Sequence, residues 1–102
     1  MDRFADRRRG KARDQGSQAA LSLCGEGIAI AANKVKGIRC GIAYNDDVAR
    51  LMRQHNNANV IAFGQKFMDL DDVLRRVDIF LSTEFEGGRH ATRVQMIMDE
   101  EK

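Results

Sequence analysis

From residue 19 onward the chain switches repeatedly between two hydrophobic periods, and this alternation limits its fold more than any other feature. Ala19–Cys24 is a short apolar run closed by Gly25-Glu26-Gly27, which reads as a buried strand and a glycine turn. Ile28, Ala31, Ala32 and Val35 then recur at helical spacing, with Gly37 as the C-terminal stop. Ile38–Tyr44 reads as a second strand. Asn45 can cap a helix whose first turn holds Asp46 and Asp47, where the helix dipole favours carboxylates. The apolar face of that helix is Val48, Leu51 and Met52, and His55 falls on the same face. Asn56 and Asn57 break it. Asn59–Phe63 is a third strand, closed by Gly64. Leu70, Val73, Leu74, Val77, Phe80 and Leu81 mark another helix, and Gly87-Gly88 precedes a last one from Arg89 to Met98. Strands alternating with helices imply βαβ units, a parallel sheet and an α/β fold. Ligands of such sheets sit beyond the C-terminal ends of the strands. Cys24, the glycine loop, Lys66 and His55 are therefore expected on one rim.

Size and charge set further bounds. At 102 residues this is one small domain, with too little interior to be generously stable alone, so a second subunit would help it. A net charge of +2 is too weak to argue for nucleic acid as a partner. The positive charge is concentrated in residues 1–18, where Arg3, Arg7, Arg8, Arg9, Lys11 and Arg13 show no apolar period and read as a flexible basic tail. No apolar run suits a membrane span or a signal peptide, so a cytoplasmic protein without a membrane partner is expected. Two cysteines make neither a disulfide framework nor a zinc site.

Several groups could carry chemistry. The loop Cys24-Gly25-Glu26-Gly27 opens directly into a helix, so its backbone N–H groups could hold a phosphate or an enediolate oxygen; a plain βα turn would look the same. Cys24 could be a base or nucleophile at that helix start, or simply a small buried hydrophobe. Cys40, mid-strand, reads as core. His55, at a helix C-terminus, could be a general acid or a capping residue. Arg89 and Arg93 share a helix face and repel each other unless an anion or a neighbouring carboxylate lies between them. His90, between them, fits either role.

The strings CGEGIAIAANKVKGIR (24–39), RQHNNANVIAFG (53–64) and FEGGRHATRV (85–94) resemble the signature stretches of type B ribose-5-phosphate isomerases and their relatives, the galactose-6-phosphate isomerase subunits. The resemblance covers roughly residues 19–98. It implies a Rossmann-like three-layer αβα fold, lacking here the N-terminal strands of the family. It also implies a homodimer or higher oligomer whose active site draws on both chains, a phosphorylated sugar as substrate, and no metal or organic cofactor. The cysteine at Cys24 would take the proton next to the carbonyl, and Gly25, Glu26 and Gly27 would offer backbone donors to the enediolate. His55 would open the sugar ring and Asn56 bind the sugar. Arg89 and Arg93 would grip the phosphate, with Lys66 where the family commonly has another arginine. The sequence departs from the family pattern at Glu26, where a Thr or Ser is usual, and in a loop about two residues shorter than the common form. A carboxylate at Glu26 opposes an anionic transition state. The alternative expectation is a catalytically inactive remnant that binds phosphosugar or forms dimers.

Overall fold

The computed structural model describes residues 17–101. Three strands, β1 (Gln18–Ser22), β2 (Cys40–Ile42) and β3 (Val60–Gly64), form one parallel sheet in the order β1-β3-β2. Helix α1 (Glu26–Asn33) joins β1 to β2, and α2 (Asp46–Gln54) joins β2 to β3. A 3₁₀ turn (Gln65–Phe67), α3 (Leu70–Ser82) and α4 (Arg89–Asp99) follow. The two crossovers run in opposite directions across the sheet, so right-handed connections put α1 on one face and α2 on the other. The expected α/β architecture is what forms. Of the basic segment 1–18, only Ser17 and Gln18 belong to the described residues, and Gln18 opens β1.

Register explains why β3 is the core. Val60 faces both Gln18 and Cys40, and Ala62 faces both Ala20 and Ile42. β3 is thus paired on both sides, and all five of its residues are buried. The expectation that residues 19–24 form a buried strand does not hold: β1 ends at Ser22 and its residues are exposed or half-buried, because among the described residues only β3 pairs with it. Ile61 and Phe63 join Ala43, Ala49, Met52, Ala58 and Phe80 in the main cluster, flanked by Val73, Val77 and Leu81 of α3. Leu70 and Leu74, expected on that same helix face, are exposed.

The helix boundaries follow from capping. Asn45 Oδ1 accepts from the Val48 N–H at 2.7 Å, as its position suggested. Asp69 and Asp72 form a capping box at the start of α3. α1 stops at Asn33, short of Val35, because the Asn33 amide leaves the helix pattern to pair with the β2 edge. Its Oδ1 accepts from the Cys40 N–H at 2.7 Å and its Nδ2 donates to the Cys40 carbonyl at 3.0 Å. Gly37 lies beyond the helix end in a left-handed turn (φ 83°), and its N–H donates to Glu101.

Asp46 joins α2 to α3. Its carboxylate accepts from Arg75 at 2.8 Å and from Arg76 at 2.9 Å, and Arg76 also donates to the Ala43 carbonyl. The Arg75 and then the Arg76 hydrogen bonds hold the Asp46 carboxyl down at about 2. A depressed carboxylate stabilises the fold fully above its unfolded value, about pH 4, and that stability is lost as pH falls through the folded value. The urea midpoint of the wild type should therefore exceed that of Asp46→Asn at neutral pH, with the gap closing as pH drops from about 4 toward 2. A gap independent of pH would refute this account.

Candidate active site

The first group of candidate residues gathers where the strands end. β1 runs out at Ser22 and the chain must turn over the end of β3. It does so at Gly25, whose φ of 85° favours glycine and whose missing side chain lets the turn approach Phe63 and Gly64. Gly64 is needed more strictly, since a Cβ there would lie 2.7 Å from the Cys24 carbonyl oxygen. The Lys66 N–H donates to the Leu23 carbonyl at 3.1 Å, and the Gly25 N–H donates to Ser22 Oγ at 3.0 Å. These contacts hold Cys24 exposed on the rim, with Lys66 exposed on the adjoining 3₁₀ turn.

α1 begins immediately after this turn, and no side chain caps it. The Ala29 N–H already bonds the Gly25 carbonyl. The donors left at the helix start are therefore those of Glu26, Gly27 and Ile28. Gly25 shapes the turn, and its own N–H is engaged by Ser22. The Glu26 side chain is exposed in the first turn.

The second group lies at the other end of the sheet. α2 runs back antiparallel to the strands, so its C-cap, His55, stands near the point where β3 begins. From Val60 to Gly64 the strand rises about 13 Å. His55 is thus separated from Cys24 by the length of the sheet, and the expectation that both share one rim does not hold within one chain. The reason is topological: a crossover helix must return the chain to the start of the next parallel strand, so its last residue cannot lie where its first one does.

α3 makes the same return journey, and the segment after it meets His55. The Glu86 N–H donates to the Gln54 carbonyl at 3.1 Å. The His55 and His90 rings stack with centroids 4.1 Å apart and 13° between their planes. Both Nε2 atoms face Glu86 Oε1, at 3.9 Å from His55 and 3.6 Å from His90. Partial burial, then the nearby charges of His55 and Arg89, push the His90 imidazole below its ordinary value. Arg89 and Arg93 are exposed on the first turns of α4, whose start is also uncapped. Among the described residues neither arginine has a carboxylate within ion-pair distance.

Sequence reasoning missed Arg53 and Glu86. Arg53 is completely buried. Its Nε donates to the Thr83 carbonyl at 3.1 Å, and its Nη1 donates to Asn57 Oδ1 and to the Ala58 carbonyl, both at 2.8 Å. Burial, then the like charge of Arg39, pushes it down to about 10, so it remains a cation at neutral pH. One guanidinium thereby joins the segment carrying His55 and Asn56 to the segment leading to Glu86 and Arg89. The apolar period gave no signal for it: the buried face of α2 is Ala49, Met52 and Arg53, whereas Leu51, expected on the apolar face, is exposed, so the helix is turned away from the stripe that Val48, Leu51, Met52 and His55 mark.

A groove of about 600 Å³ runs beside β2, with Asn56, Asn33, Cys40 and Gly41 among its walls. A second hollow of about 440 Å³ shares those residues and extends to Glu26 and Tyr44. Asn56 therefore opens onto this face, and the face connects the two ends of the sheet. Cys40 is half-buried there, and desolvation pushes its thiol up.

A family model described as Ribose/Galactose Isomerase matches residues 6–97. Ribose-5-phosphate isomerase B of Escherichia coli is 47% identical over 79 residues, which are 76% of this chain and 53% of that protein. The structure of ribose-5-phosphate isomerase B from Clostridium thermocellum superposes with a TM-score of 0.80 at 41% identity, covering 97% of this chain and 70% of the other. That of Mycoplasma genitalium, solved with bound ribulose-5-phosphate, gives 0.80 at 33% identity, covering 96% of this chain and 68% of the other. The chain spans about half the length of the curated relatives it matches.

The close approach at Gly64 gives a direct test of the rim. Gly64→Ala should destabilise the fold by about 1–3 kcal/mol in urea unfolding, because the Cys24 backbone must move to admit a methyl group. It should also change the rate at which a small disulfide reagent modifies Cys24. An unchanged stability and an unchanged thiol rate would show that the rim is not packed as described.

Proposed function

The chain belongs to the ribose/galactose isomerase family, and we propose that it takes part in the aldose–ketose isomerisation of a phosphorylated sugar, with ribose 5-phosphate as the substrate to test first. The observation that carries this reading is the Cys24 rim: an exposed thiol held beside an uncapped helix start. Isomerisation moves a proton between adjacent carbons through an enediolate. It needs one base beside the carbon, donors for the developing oxyanion and an anchor for the remote phosphate. Cys24 is the base. The N–H groups of Glu26 and Gly27 face the developing charge, while Gly25 sets the turn. His55 gives and takes the proton that opens the sugar ring, and Asn56 binds the sugar. Arg89, Arg93 and Lys66 bind phosphate, whose binding energy keeps the reacting carbons in register with the thiol.

This division of labour requires two chains. Cys24 and Lys66 stand at one end of the sheet, His55, Arg89 and Arg93 at the other, so one copy cannot close the site around a five-carbon sugar. A two-fold pair laid antiparallel brings the rim of each copy to the histidine end of its partner, and does so twice. The exposed apolar residues support such a pairing. Leu23 is 61% and Phe67 71% exposed beside the rim, and Leu70, three residues after Phe67, and Tyr44, two residues past the end of β2, are exposed as well.

A second reading is a phosphosugar-binding protein without turnover, and one observation favours it. The Glu26 carboxylate lies at the same helix start that must receive an enediolate oxygen. Losing one effective oxyanion donor costs about 100- to 1,000-fold in rate. The chain should accordingly convert ribose 5-phosphate slowly, Glu26→Thr should raise the rate, and Cys24→Ala should abolish it in a direct assay of ketose formation. Fast turnover that survives Cys24→Ala would remove the thiol from the mechanism.

The shared site has its own test. Arg89→Ala and Arg93→Ala should each weaken phosphosugar binding with little change in stability. Cys24→Ala and His55→Ala, each inactive alone, should regain about a quarter of the wild-type rate when mixed and allowed to exchange, since only mixed pairs contain one intact site. No recovery from a mixture shown by sedimentation to contain dimers would rule out a site built from both copies.

A further inference from the structure

The pairing of His55 with His90 across Glu86 goes beyond what isomerisation asks of this end of the molecule. One donor atom from each of the three residues lies within 4.8 Å of the others. We propose that His55, Glu86 and His90 form a site for a first-row transition-metal dication of borderline softness, Zn²⁺ or Co²⁺, with at least one coordination position left open to water or an anion.

Two imidazoles and one carboxylate are a donor set that suits such ions, and three protein ligands with an open position is a common zinc arrangement. Metal–ligand bonds of about 2.0–2.2 Å bring tetrahedral donors to roughly 3.4 Å apart, close to the 3.9 Å and 3.6 Å from each Nε2 to Glu86, while the widest separation, within 4.8 Å, must close further. The side chains can supply this. His55 and Glu86 are about half exposed and free to rotate on their solvent side, and an ion would replace the stack of His55 on His90 with two converging metal bonds. His90 is 13% exposed and supplies the fixed point.

The backbone beneath them is already tied. The His55 N–H bonds the Leu51 carbonyl at 2.8 Å, the Glu86 N–H bonds the Gln54 carbonyl, and the His90 N–H bonds the Gly87 carbonyl at 3.0 Å. Arg53 joins the two segments from below. Little chain order remains to be imposed when an ion arrives.

Arg89 and Arg93 act against a cation here. Both are exposed, so solvent and salt screen them, whereas the Glu86 carboxylate would bind the ion directly. A phosphate at the open position would be attracted by ion and arginines together. A metal held here also occupies the lone pair that His55 needs for ring opening, so it should inhibit an isomerase that works as described above. That last consequence rests on the isomerase reading; the metal site does not.

The test is calorimetric titration of the full chain, freed of metal by a chelator, with ZnCl₂ alone, alongside Co²⁺ absorption spectra. The expected result is one saturable site per chain and a Co²⁺ spectrum of low coordination number. Affinity should fall about tenfold or more in His55→Ala and in His90→Ala. Glu86→Gln, a change at an exposed side chain, should weaken it as well and keeps the test decisive where a histidine variant fails to fold. Absence of saturable Zn²⁺ binding would overturn the proposal. So would affinity unchanged in all three variants, which would move the ion to the thiols. Metal binding by a chain that isomerises nothing would leave this site standing and the isomerase reading fallen. Isomerisation without metal binding would do the reverse.

Discussion

The buried guanidinium of Arg53 is the contact on which the histidine end of this molecule depends. A cation without exposed surface is tolerated only when its donors are used. Here they are spent on the Thr83 and Ala58 carbonyls and the Asn57 side chain, with the Phe80 ring 5.9 Å from the charge. Each acceptor belongs to a connecting segment that has no strand or helix to satisfy it. Asn57, held at a left-handed φ of 49°, lets the chain leave α2 sharply and enter β3. Thr83 is the first residue beyond α3. Removing the guanidinium would orphan acceptors in two loops at once and release the segments that carry His55 and Glu86 from each other.

At the opposite end the controlling constraint is steric. The turn after β1 lies so close to the end of β3 that neither Gly25 nor Gly64 has room for an ordinary side chain. Close packing there does for Cys24 what Arg53 does for His55: it fixes the residue on a connection instead of inside a strand. Both ends are stiff, yet the parallel sheet keeps them apart. On the proposed mechanism, Cys24 and His55 would meet only across two copies, and the exposed apolar residues beside the rim and the groove beside β2 are surfaces on which such association could draw.

Much of this was legible in the residues. The change of hydrophobic period located the three strands and four helices, Asn45 announced its cap, and Gly25 and Gly64 announced turns. The recurring strings around Cys24, His55 and Arg89 identified the family. The misreadings have physical causes. Residues 19–24 are as apolar as a buried strand, but burial depends on how many neighbours a strand has, and pairing order is not written locally. Val35 keeps a helical spacing beyond a helix that Asn33 has already ended by reaching for Cys40. Leu70 and Leu74 follow the period of the α3 core face and still face outward.

The sequence by itself determined the α/β alternation, the family, the thiol and glycine loop beyond the first strand, and the pair of arginines at the start of the last helix. Such features are set by neighbours within a few residues: period, caps and turns. Only the tertiary structure decided that β3 lies in the middle, that His55 faces Glu86 and His90, that Arg53 is buried between two loops, and that the thiol and the histidine stand at opposite ends of the sheet. Those relations join residues about thirty or more positions apart in the chain or on opposite sides of a crossover. Their geometry is fixed by strand order and by the return path of each helix, which a local pattern does not encode.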